Sequence, residues 1–213
     1  SAKLPRTHKQ SHAEKQDTFN PPIPTTSSPA DSHEAEQQKQ QDDYQSISTL
    51  LPQLQHYKLI SAKEAHGITA QLTLLKLNEL SALSRSDLEA YWAELPKTQR
   101  THEEVVTRYA QLLVDHGAHS DAQTLIEKTL SKAWIPSLLS IYTSLSADNY
   151  SQLLSTAEKW LRKHPTDTQL KLALAKLSLR AHFYQKANDY SQQLLQSDAS
   201  KEAWILLAEI NEQ

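Results

Sequence analysis

Apolar residues recur three and four apart along most of this chain. In VTRYAQLLVDHGAHSDAQTLIEKTL (106 to 130), Tyr109, Ala110 and Leu113 form one such set and Ala122, Leu125, Ile126 and Leu130 another, with Gly117 between them. Residues at that spacing share one face of an α-helix, so the stretch predicts two helices joined by a turn. No alternating Val/Ile/Thr run bounded by turn residues occurs, and strands have no obvious place. From about Asp42 onward Leu, Ala, Gln, Lys and Glu dominate, all good helix formers. The pattern predicts helices over 43–57, 61–80, 86–95, 101–116, 120–132, 136–145, 149–163, 167–181, 184–196 and 201–211. Ser61/Glu64, Ser86/Glu89 and Thr101/Glu104 have the spacing of capping boxes, in which a hydroxyl caps an orphan amide and a carboxylate three residues on returns the bond. Pro96, Pro136 and Pro165 mark breaks, whereas Pro52 either kinks the first helix or opens a new one.

DNYSQLLSTAEKWLRKHP (148 to 165) and HFYQKANDYSQQLLQSDA (182 to 199) read as two copies of one unit. An offset of 34 pairs Tyr150 with Tyr184, Leu153 with Ala187, Trp160 with Leu194, Leu161 with Leu195 and Pro165 with Ala199. An offset of 40 matches only Tyr-Ser-Gln and leaves a helix start without a counterpart. Helix-turn-helix units of about 34 residues are the tetratricopeptide pattern. In this register Trp204, Leu207 and Ala208 take the Trp, Leu and small-residue positions of a following first helix, as Leu174 and Ala175 do one unit earlier. Ala110, Ala122, Ala175, Ala187 and Ala208 would let adjacent helices approach to about 8 to 10 Å. One unit is irregular, because Pro136 truncates its first helix. The expected fold is all-α: a right-handed α-solenoid of tetratricopeptide-like helix-turn-helix repeats with a disordered N-terminal tail. Residues 1–41 form the tail, 42–97 divergent helices of the repeat domain, and 101–213 about three repeat units.

The tail rests on composition. Residues 1–41 carry five of the nine prolines, with Leu4, Phe19 and Ile23 as the sizeable apolar groups. Such a segment cannot bury enough surface to offset about 1 to 2 kcal/mol per residue of backbone ordering. PPIPTTSSP (21 to 29) reads as a solvated linker, with a polyproline ligand for an SH3-like partner as the alternative. Over the whole chain 22 Lys and Arg are scattered among 25 acids, for a net charge of -3. No basic stripe is present to displace counterions from phosphates, so a nucleic-acid partner is not expected. Apolar runs last only a few residues, where a bilayer span needs about 20. Cysteine is absent, which removes disulfides and thiolate metal sites. Methionine is absent even at position 1, so the chain is expected to begin after processing or inside a longer protein, with any membrane anchor left off.

LLPQLQHYKLIS (50 to 61), LEAYWAELPKTQR (88 to 100) and AQLLVDHGAHSDAQTLIEKTL (110 to 130), followed by the repeat with His164-Pro165, resemble the C-terminal tetratricopeptide half of the proteobacterial HemY proteins. The resemblance covers about residues 42–213. It departs from the family at the N-terminus, since the two membrane-spanning helices of HemY proteins have no counterpart here. It implies a protein at the cytoplasmic face of the bacterial inner membrane, associated with late haem biosynthesis and organising protein partners.

Candidate chemistry is sparse. His116, His119, Asp115 and Asp121 offer imidazoles and carboxylates to a metal, but the stronger reading is an inter-helix turn. There Gly117 ends one helix in the left-handed conformation and Ser120 or Asp121 caps the next. His164 reads as a helix end, and His56, His66, His102 and His182 have no second ligand at i+3 or i+4. Glu103/Glu104 and Asp42/Asp43 lie at helix starts, where negative charge is stabilising. No cysteine nucleophile, Gly-x-Ser-x-Gly, phosphate loop or His-Glu-x-x-His occurs, so no catalytic residue, cofactor or metal is assigned and an enzyme is not expected. Trp160 and Trp204 read as core, one of Tyr91 and Trp92 as exposed, and Trp134 either as sealing the irregular unit or as anchoring a partner. Two functions remain: a scaffold binding protein partners on the surface lined by first helices, and a porphyrin or haem carrier with a histidine ligand. A generic tetratricopeptide adaptor unrelated to haem is a variant of the first. Repeats expose an extended surface and not a deep cavity, which favours the scaffold. Its partner-binding positions in this register are Thr107, Gln111, Val114, Leu172, Lys176 and Leu179.

Overall fold

The structure is a computed structural model and describes residues 29–82, 84–197 and 201–211. Eleven helices and no strand are found among the described residues. The chain divides into two units, Ser1–Ile47 and Ser48–Gln213. The first unit is described from Pro29, where α1 (Pro29–His56) begins. Residues 29–41 were expected to be part of an unstructured tail, and the helix corrects that boundary. Proline is favoured at a first helical position because its fixed φ is already helical. The Glu, Gln and Lys that follow favour a helix without any burial, since straight-chain residues lose little rotamer freedom there. Pro52 lies inside this helix and opens no new one. The PPIPTTSSP segment falls outside the described residues except for its last proline.

The second unit begins with the end of α1 and continues through α2 (Ala62–Leu80), α3 (Arg85–Glu94), the single turn α4 (Lys97–Arg100), α5 (Glu103–Asp115) and α6 (His119–Leu130). The capping box at Ser61 and Glu64 is formed, with Oγ accepting from Glu64 N at 3.2 Å and Glu64 Oε2 accepting from Ser61 N at 2.8 Å. The other two boxes are not. Ser84 caps α3 through Asp87 N, while Glu89 pairs with Arg85 at 2.6 Å. Thr101 points its hydroxyl back to the Lys97 and Thr98 carbonyls at the end of α4, and α5 starts after His102. In the first place Ser86 already lies inside α3, and in the second the Thr101 hydroxyl bonds within the preceding turn. Gly117 ends α5 at φ +73°, with Ala118 N donating to the Leu113 carbonyl at 2.7 Å and Gly117 N to that of Val114 at 2.9 Å. That is the Schellman arrangement. Neither Ser120 nor Asp121 caps α6, which starts at His119 without a side-chain cap.

The remaining helices are α7 (Ser137–Ser144), α8 (Tyr150–Leu161), α9 (Thr168–Arg180), α10 (Tyr184–Ser197) and α11 (Lys201–Asn211). Asn149 and Asp167 cap α8 and α9 through Gln152 N and Leu170 N. α2 packs on α3, α4 and α5. Beyond that, α5, α7, α9 and α11 pack on one another in succession, while α6, α8 and α10 each pack on members of that row. The order is compatible with an α-solenoid. Buried residues of the row repeat as one motif: Val106, Tyr109, Ala110 and Leu113, then Leu138, Ile141, Tyr142 and Leu145, then Leu170, Ala173, Leu174 and Leu177. Fully burying each large side chain of this set contributes about 1.5 to 3 kcal/mol before its ordering cost.

The 34-residue offset pairs like with like at two positions of α8 and α10, where Leu153 and Trp160 are buried as are Ala187 and Leu194. It fails in α11. Ala203 and Leu206 are buried there, while Trp204 is 61% exposed and Ala208 is exposed as well. Ala203 and Leu206 fall 33 residues after the buried Leu170 and Ala173 of α9, one short of 34, and one residue turns a helix by about 100°, which leaves Trp204 off the core face. Ala110, Ala122, Ala175 and Ala187 are fully buried, as expected of close helix approach. Among the described residues no helix is long and apolar enough to cross a membrane.

Candidate partner-binding groove

The row α5, α7, α9, α11 carries two adjoining cavities. The first, about 470 Å³, runs from Thr107 on α5 over Ser137 and Thr143 to Leu172, Lys176 and Glu202. The second, about 410 Å³, shares Thr143, Lys176 and Glu202 and extends past Leu179 and Arg180 to Ile205 and Glu209. Apart from Gln169, Ala173, Leu139, Ser140 and Leu206, which belong to the same helices, these residues complete both linings, so no residue of α6, α8 or α10 takes part. The helix period produces this surface: on α9, Leu170, Ala173, Leu174 and Leu177 turn inward, which leaves Leu172, Lys176 and Leu179 half-buried along another face.

Of the six positions anticipated from sequence, four are brought together. Thr107, Leu172 and Lys176 line the first cavity, and Lys176 and Leu179 the second. Thr107 also ties α5 to α7, its Oγ1 lying 3.1 Å from Ser137 Oγ. Gln111 and Val114 line neither cavity. Gln111 Nε2 donates to Asp115 Oδ1 at 2.8 Å, and Val114 packs against the core. The residues that sequence reasoning missed are Arg180, Glu202, Ile205 and Glu209. A register one position shorter for the last helix would have turned Glu202, Ile205 and Glu209 toward the groove. Arg180 is positioned by tertiary contacts: it donates to the Thr143 carbonyl at the end of α7, and to Tyr150 Oη at 2.6 Å, with its guanidinium 4.3 Å from the Tyr150 ring centre.

A third cavity of about 440 Å³ lies elsewhere on this unit, lined by Arg85, Glu89, Trp92, Tyr109, Asp121 and Lys128 among others. Arg85 bridges Glu89 and Asp121, each at 2.6 Å, and these carboxylates hold its guanidinium above its ordinary value, Glu89 first. Trp92 stacks on Tyr109 with centroids 3.9 Å apart, and Tyr91 and Trp92 are both half-buried, so neither is the exposed partner that the sequence suggested. Burial, followed by the nearby Glu89 and Asp121 charges, pushes the Tyr109 phenol up to about 12.

Three of the histidines are engaged in the framework. His119 Nδ1 accepts from Ser146 N at 3.3 Å, His164 stacks on Trp134 at 3.8 Å, and His182 Nδ1 lies 3.0 Å from Tyr184 Oη. No group of three His, Asp or Glu side chains placed to hold a metal occurs among the described residues. Trp134 is held within the fold: its Nε1 donates to Asp167 Oδ2 at 2.8 Å, and its ring meets Trp160 edge-on. The described residues are all helical, in an order compatible with an α-solenoid. No protein family, curated protein or solved structure matches the chain.

Proposed function

We propose that the helical-repeat part of this chain is a right-handed tetratricopeptide-like solenoid acting as a non-enzymatic scaffold. It holds a segment of a partner protein in the groove along α5, α7, α9 and α11. The observation that carries the reading is that one row of helices, and no helix of the other layer, lines both adjoining cavities, with Leu172, Lys176 and Leu179 half-buried along them. Stacked repeats bury their mutual interfaces and leave such an extended face for recognition. An apolar strip carrying a cation suits a protein segment better than a nucleic acid or a small cofactor, and no histidine lines either cavity. The association with late haem biosynthesis at the inner membrane rests on the HemY resemblance of residues 42–213 alone.

Lys176→Glu tests the groove. A surface charge change is expected to alter stability by no more than about 0.5 kcal/mol. The variant is therefore expected to keep its melting temperature while losing proteins that crosslink to the parent chain in its native host. Lys159→Glu on α8, an exposed position outside the groove, is the control and should lose none. Equal recovery with both variants would place the binding surface elsewhere.

A further inference from the structure

The groove is electrically two-sided between α9 and α11. Lys176 and Arg180 stand one helical turn apart on the α9 wall, and Glu202 and Glu209 two turns apart on the α11 wall. Leu179, Leu206 and Ile205, which is 46% exposed, supply the apolar part of the same lining. Opposite charges facing one another across a cleft would ordinarily neutralise each other. Here no ion pair joins the two walls among the described residues. Arg180 is instead fixed by the Thr143 carbonyl and the Tyr150 side chain, which reduces the conformational freedom it would lose on binding.

Resting on the reading of this face as a partner-binding groove, we infer that its occupant is a single amphipathic helix with an apolar stripe, an acidic flank and a basic flank, docked with its acids toward α9 and its bases toward α11. Backbone period decides between helix and strand. An extended segment has two side-chain faces, so with one on the apolar floor the other points to solvent, and neither wall is met. A helix presents a stripe and two separate flanks at once. The polarity also sets direction, because turning the helix end for end exchanges its flanks and brings like charges together.

Three synthetic helical peptides of about four turns each, sharing one leucine stripe, test this by fluorescence anisotropy with the full chain at low salt. One carries Glu on both flanks, one Lys on both, and one Glu on one flank with Lys on the other. The mixed peptide is expected to bind about fivefold more tightly than either single-sign peptide, a preference that fades as salt screens it. Lys176→Glu should shift the preference toward the all-Lys peptide, and Glu202→Lys toward the all-Glu peptide. Equal binding of all three would overturn the polarity and leave the groove standing, and tightest binding of the all-Glu peptide would replace the polarity with a purely acidic ligand. Binding by none would overturn the helical occupant, and if Lys176→Glu still released crosslinked partners the broader groove reading would survive that loss.

Discussion

Helix ends show how a single residue's backbone preference acts. Lys58 at φ +55° and His182 at φ +60° occupy the same left-handed position that Gly117 takes after α5. In each, the next residue donates five positions back, Leu59 to Leu54 at 2.9 Å and Phe183 to Ser178 at 2.8 Å. Only one of the three ends has the residue that adopts this geometry without a Cβ clash. Lys58→Gly is therefore expected to raise stability by roughly 0.5 to 1 kcal/mol, and Gly117→Ala to lower it by about 1 kcal/mol. Beyond Gly117 and its two chain neighbours nothing lies within 4 Å of where its Cβ would stand, so the loss comes from backbone strain and not from collision with packed groups. Differential scanning calorimetry of the two variants should show melting temperatures moving in opposite directions by roughly 2 to 4 °C. The opposite result for Lys58→Gly would mean that its side chain contributes more than its backbone costs.

At the scale of elements, the seam between α9 and α10 is the closest test of the repeat. Ala187 is fully buried there, and its carbonyl accepts from Ser191 Oγ at 2.8 Å. Lys186, one position earlier, is exposed and reaches Glu158 on α8 at 2.7 Å. Ala187→Leu forces extra methylenes into a packed interface and is expected to cost roughly 1 to 3 kcal/mol. Lys186→Leu removes a surface ion pair whose usual contribution is about 0 to 1 kcal/mol. Denaturant titration distinguishes them: similar midpoints would contradict the 34-residue register between α8 and α10. Trp204 marks where that register stops. Its sequence position matched a core tryptophan, but the one-residue slip at α11 turned it outward and brought Glu202, Ile205 and Glu209 to the groove.

Across the second unit, two buried phenols link successive repeats to alkaline stability. Tyr142 is fully buried and donates to Glu127 Oε1 at 2.8 Å. Burial first, and then that carboxylate, push its phenol well above its ordinary value, while Tyr109 rises to about 12. Both hold their protons more tightly folded than unfolded. Between pH about 10 and about 12 the unfolded chain therefore loses phenolic protons that the folded protein keeps, and stability falls as pH rises through that window. Below pH about 10 the contribution is fully present. Melting temperatures measured from pH 8 to 11 should decline at the upper end, and Tyr142→Phe should flatten part of the decline while lowering stability at neutral pH by about 1 kcal/mol. An unchanged slope in the variant would assign the alkaline loss to other groups.

Local chemistry was legible in the residues themselves. The helical period, the proline breaks at 96, 136 and 165, the left-handed Gly117 and the capping box at Ser61 depend on neighbours a few positions away, and sequence alone determined them. Their spacing of four and three also put Leu172, Lys176 and Leu179 on one face of α9, while leaving open whether the leucines are core or groove. The start of α1 at Pro29 escaped it, since composition argues from burial whereas a polar helix forms from propensity. Only the tertiary structure decided that the Thr101 hydroxyl is engaged by a preceding turn, that the buried positions of α11 fall 33 residues after those of α9, and that Arg180 is held by α7 and Tyr150. Each of these turns on helices brought together from distant parts of the chain or on a slip of about 100°. A linear period is blind to both, because it records the spacing of side chains along one helix and not the rotation of that helix against its neighbours.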